Sequence, residues 1–117
     1  MPTPRLPPLA PFELNEEQAS FLKPYTDKRG NYPNVFGTLA RHMKLVNAWS
    51  EFGLYTMQHS EVDPVLREVA ILRTAIHVGS DYEWVHHCDI GRRLGMADDL
   101  FERIRAGKAL DLSLIHI

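Results

Sequence analysis

Residues 63 to 107 carry helix starts and stops at spacings that fit three consecutive helices. Asp63 followed by Pro64 pairs a capping carboxylate with a residue whose φ is preset for a first helical turn. The helix so opened is expected to reach about His77 and to stop at Gly79. Ser80 or Asp81 caps the next, which runs to Gly95, and Ala97-Asp98-Asp99 starts a last one through Ala106, closed by Gly107. Upstream, Asn15 before Glu16, Glu17 and Gln18 opens a short helix to about Lys23, and Pro24 to Pro33 reads as loop. Val35, Leu39, Met43, Val46, Trp49, Leu54 and Met57 predict one long helix from Asn34 to about His59, in which Gly37 and Gly53 mark either close packing or a break. No segment alternates as a strand does, and no repeat is visible. The expected class is all-α and multihelical.

Met1 to Pro11 hold five prolines and predict an extended arm. The expected organisation is an arm over 1–14, a helical domain over 15–111 and a tail over 112–117. A chain of 117 residues has room for one modest core, and 44% hydrophobic with 24% charged residues is globular composition. A net charge of −2 offers nothing to nucleic acid or an anionic membrane. No apolar run is long enough to span a bilayer, the start is broken by prolines, and the single cysteine cannot form an internal disulfide, so a cytoplasmic protein is expected. The last residues, LSLIHI, have no cap or helical pattern and are what CTGTCTCTTATACACATC encodes, a sequence resembling a transposon end used as a library adapter. The expectation is that the natural protein continues past Asp111.

At about 100° per residue, the helix from Pro64 has one apolar arc of Val65, Val69, Ile71, Leu72, Ala75 and Ile76, with Glu68 inside it. A carboxylate on a buried face is costly unless it is paired or protonated. It is either a structural group satisfied by a neighbouring helix or a chemical one. On the following helix Ser80, Glu83, Trp84, His87, Cys88, Ile90, Gly91 and Leu94 share a face. Tyr82 and His86 fall toward solvent or a partner. Glu83 and His87, four apart, project inward together, and Gly91 is expected to leave space above His87 for a helix or ligand.

His86, His87 and Cys88 suggest zinc, but neighbours on a helix point about 100° apart and cannot converge on one ion, so no metal is expected. Cys88 has no partner thiol and reads as a small core residue. An acid/base site fits best, with His87 moving a proton, Glu83 orienting it and Glu68 poised by burial; the alternative is a buried Glu–His pair that only stabilises packing.

The run REVAILRTAIHVGSDYEWVHHCDIGRRLGM, Arg67 to Met96, resembles the carboxymuconolactone decarboxylase family and its alkylhydroperoxidase relatives. PNVFGTLARH, Pro33 to His42, is similar to the segment upstream, and the resemblance extends from about Leu14 to Gly107. In the peroxidase branch the inner positions are a glutamate, two cysteines of a CxxC and a histidine. Glu68 and His87 match the first and last, whereas Ser80 and Glu83 stand where the cysteines would be, which speaks against peroxiredoxin activity. YEW followed by His87 is similar to the cysteine-free branch, whose members include cofactor-independent decarboxylases of a carboxylated muconolactone in aromatic-acid degradation. The resemblance implies an all-helical homo-oligomer, a trimer or hexamer, acting on a small molecule without a cofactor. The expected catalytic residues are Glu68, Glu83 and His87. Arg73, at the edge of its helix's inner face, is either a carboxylate anchor or a surface or interface arginine. Ser80 and Trp84 are expected beside the substrate, Trp84 otherwise reading as core. A different acid/base reaction on a lactone, or a non-catalytic helical binding module, would fit the same pattern.

Overall fold

A computed structural model describes residues 3–108 and 110. Asp111 and the tail over 112–117, with the expectations placed on them, lie outside the described residues. The described residues are helical with no strand. They divide into two compact units, Met1–His59 and Ser60–Ile117.

The first unit begins with the extended proline-rich segment and one tight turn at Pro11–Glu13. The end of the segment is packed down: Leu9 is buried, its N–H donates to the Gly37 carbonyl at 3.1 Å, and the Tyr32 hydroxyl donates to the Leu9 carbonyl at 2.5 Å, while residues 3–7 are exposed. Gly37 is a site of close packing, because a Cβ there would lie 2.9 Å from both Pro8 and the Tyr32 ring. Helix α1, Glu16–Leu22, starts as expected: Asn15 Oδ1 accepts from the Gln18 amide, and Gln18 Oε1 accepts from the Asn15 amide. It buries Leu22 with Leu9 and Ala40, flanked by Phe21, Tyr32, Phe36 and Met43.

The long helix expected from Asn34 to His59 is instead two. Helix α2 covers Asn34–Leu39 and α3 covers Met43–Leu54, followed by a wider turn at Tyr55–His59. The break comes from His42, which leaves the helical conformation at φ −131° and accepts from the Leu45 amide through Nδ1 at 3.1 Å. The apolar spacing continues in phase across the break, so periodicity cannot show it. Histidine is also outside the usual set of capping residues.

In the second unit, α4 is Pro64–Val78, α5 is Asp81–Arg93 and α6 is Asp98–Arg105. Asp63 Oδ1 accepts from the Val65 and Leu66 amides, and Gly79, at φ +68°, ends α4 by donating to the Ile76 carbonyl while Ser80 donates to Ala75. Val69, Leu72 and Ala75 of α4 meet Trp84 and Cys88 of α5, Met96, and Phe101 and Ile104 of α6. Full burial of Leu72 alone contributes about 1.5–3 kcal/mol. Ile76 departs from the predicted arc: it is inside by angle but 38% exposed, whereas its neighbour Ala75 is buried. Leu94 is likewise exposed. Gly91 leaves no space for a ligand either. A Cβ there would lie 2.7 Å from Met96 Sδ and 3.1 Å from the Phe101 ring, so the loop to α6 and α6 itself fill the room a side chain would take.

Candidate active site

Glu68 is fully buried in the middle of α4, at the position the apolar arc predicts. Two groups compensate its charge. His87 Nδ1 lies 2.6 Å from Oε2, and Arg67 Nε–H donates to Oε1 at 3.1 Å. Both partner side chains are nearly buried, 15% exposed for His87 and 16% for Arg67. A charge placed this deep is tolerable only with such partners, and every buried side-chain polar atom among the described residues has one.

The other ring nitrogen of His87 looks outward. Its Nε2 lies 3.5 Å from Oε2 of Glu83, which is 45% exposed and four residues back on the same helix. The contact is long for a hydrogen bond. The imidazole is therefore held tightly at one end by a buried carboxylate and faced loosely at the other by an exposed one. Glu68 and Glu83 sit on opposite ring nitrogens, so the three cannot share one ion, and no other metal-binding group of His, Cys, Asp and Glu occurs among the described residues.

Beside Glu83 an open groove of about 340 Å³ runs along α4, lined by Ala70, Ile71, Thr74, Ala75, Val78 and Glu83. The walls are apolar apart from Thr74, whose hydroxyl donates to the Ala70 carbonyl, and Glu83.

Of the residues singled out in the sequence, Glu68, Glu83 and His87 come together. Ser80 caps α5, its hydroxyl accepting from the Glu83 amide at 3.4 Å, which fixes the turn that carries Glu83. Trp84 is in the core with the Arg105 guanidinium over its ring at 4.8 Å. Arg73 donates to the Lys108 carbonyl and tethers α4 to the segment after α6. Five residues beyond Glu68, it lies about 140° around the helix from it. His86 is exposed against the Tyr82 ring at 4.4 Å, away from the pair. Arg67 was not among the expected residues. Adjacent helical positions do not face each other, and only a long side chain folding back reaches Glu68; no pattern in the sequence signals that.

Cys88 is a free, buried thiol whose pKa is pushed up by burial, an effect that Arg92 and Arg105 oppose and Asp89 reinforces. The folded state thus holds the thiol proton more tightly than the unfolded chain, whose value is about 8.5. The resulting stability is fully present below that pH and is lost as pH rises through the folded value. Urea midpoints measured between pH 8 and 10 are expected to fall more in the wild type than in Cys88→Ala. Equal slopes would show that the thiol is not held neutral by the fold.

Among the described residues no helix is long and apolar enough to cross a membrane. No curated protein and no solved structure matches the chain. The sequence pattern described as Carboxymuconolactone decarboxylase family matches residues 44–111, from within α3 to beyond α6; this is more than half of the chain, which therefore belongs to that family.

Proposed function

We propose that the chain is an acid/base enzyme that decarboxylates a small carboxylated lactone without a cofactor, with His87 as the proton donor. The observation that carries this reading is the asymmetric environment of His87: a 2.6 Å bond to fully buried Glu68 on Nδ1, and the exposed, loosely engaged Glu83 on Nε2. A carboxylate behind an imidazole fixes its tautomer and orientation and stabilises the imidazolium, leaving the opposite nitrogen as the working end. The distances favour Glu68 as the orienting group and Glu83 as the group that exchanges protons with solvent, the reverse of the roles expected from spacing alone.

In the reaction, the bond from carbon to the substrate carboxylate breaks and CO2 leaves. Its electron pair enters the conjugated carbonyl system of the lactone, and the Nε2–H of the His87 imidazolium protonates carbon. The neutral ring then regains a proton from water by way of Glu83. Positioned acids of this kind contribute about 10²–10⁴-fold to rate. A homo-oligomer, a trimer or hexamer, and a cytoplasmic setting belong to the same proposal.

A related reading is favoured by the groove, whose wall carries Glu83 and no cation. It suits an uncharged lactone undergoing proton shift better than a second carboxylate. An alkylhydroperoxidase-type activity is disfavoured, since Ser80 and Glu83 occupy the thiol positions and Cys88 is buried.

Incubation with lactones carrying ¹³C at the carboxylate separates the readings. Release of ¹³CO2 is expected. Deuterium uptake from heavy water without CO2 would favour the proton-shift reaction, and saturable binding with neither would identify a binding module.

A further inference from the structure

The wheel that places Glu68 on the buried face puts Arg67 about 100° away, on the side of α4 where Ile71, Thr74 and Val78 line the groove. An arginine on such a flank normally extends into water. Here the side chain is only 16% exposed and its Nε–H is 3.1 Å from Oε1 of the adjacent Glu68. Holding this rotamer-rich side chain costs entropy, and a surface ion pair would not offset that. What offsets it is the depth of Glu68. The carboxylate is fully buried and has two oxygens to satisfy, of which His87 takes one.

We propose that Arg67 is a positioning residue for the proton-transfer site: by holding Oε1 it sets the plane of the Glu68 carboxylate, so that Oε2 receives the Nδ1–H of His87 and Nε2 becomes the working nitrogen. The inference rests on the reading of His87 as the proton donor. It concerns geometry and tautomer rather than substrate contact. If Arg67 is lost, the buried carboxylate is free to rotate or take up a proton, and a protonated Glu68 would donate to Nδ1 and reverse the tautomer. The charged groups that bear on the ring are Arg67 and Glu68 from α4 and Glu83 from α5. Arg105 of α6 lies against Trp84 on the core side of the same helix.

The test is nitrogen NMR of the full chain labelled with ¹⁵N-histidine, in the wild type, Arg67→Met and Arg67→Lys, alongside turnover. At a pH where the ring is neutral, the wild type is expected to show His87 as the Nδ1–H tautomer, the form left after Nε2 has given up its proton. Arg67→Met is expected to give mixed tautomers and about 10- to 100-fold lower kcat, with KM changed by less than about twofold, as for an interaction made in the transition state and not with substrate. Arg67→Lys, which keeps the charge and one donor, is expected to recover part of both. An unchanged tautomer in Arg67→Met would overturn the proposal, as would a loss confined to KM. If Arg67→Met does not fold, Arg67→Gln decides by the same two readouts. The tautomer is read without substrate, so a wild type inactive on every lactone would sink the functional reading and leave the positioning result standing.

Discussion

Replacing His87 by alanine is expected to lower turnover by about 10²–10⁴-fold, the range contributed by a positioned general acid, while the far-ultraviolet signature of the helices stays unchanged. The structure gives a reason for both halves. Nδ1 of His87 is engaged by Glu68 at 2.6 Å and Nε2 faces Glu83 at 3.5 Å, so truncation removes the proton carrier between two carboxylates. The core beside it is built by other residues: Trp84, Cys88 and Leu72 belong to the buried cluster and His87 does not. Glu68 keeps its Arg67 contact, so its charge is not stranded. Full activity in His87→Ala would move the chemistry elsewhere.

Glu68→Leu is expected to cost about 10²-fold or more in turnover and to lower stability by about 3–5 kcal/mol, because it removes one partner of a buried pair and leaves the others in place. The two losses come from two roles of the same carboxylate. As an orienting group it is irreplaceable by an alkyl chain, since the tautomer of His87 depends on it. As a fully buried group it also compensates Arg67 and His87, and leucine, of similar size, offers neither of them an acceptor. The partners left behind, Arg67 and His87, are only 16% and 15% exposed, so each loses its compensating carboxylate while nearly buried. Denaturant unfolding checks the stability half. Unchanged or raised stability would show that the fold does not depend on the pairing of Glu68 with Arg67 and His87.

The helices of the second unit were legible because their signals are local. Asp63-Pro64, Gly79-Ser80 and Gly107 act through their own backbone or side chain, and each does in the structure what it predicts in isolation. The convergence of Glu68, Glu83 and His87 was legible because a 3.6-residue period projects faces without knowledge of distance. Where neighbours decide, the pattern fell short. His42 breaks the first long helix by capping with a ring nitrogen, while the apolar phase runs on undisturbed. Gly91 is filled by Met96 and Phe101, whose approach depends on how α6 folds back. Arg73 leaves the site for the Lys108 carbonyl and Arg67 enters it, and both outcomes depend on side-chain conformations that a wheel does not contain.

The central claim is that Glu68 and His87 act as one unit, and turnover of the double variant His87→Ala/Glu68→Leu tests it most directly. If Glu68 works only through His87, the double variant is as slow as His87→Ala alone, because groups that act together lose their effect together. Losses that multiply, an additional factor of about 10² beyond His87→Ala, would contradict the account and make Glu68 an independent participant.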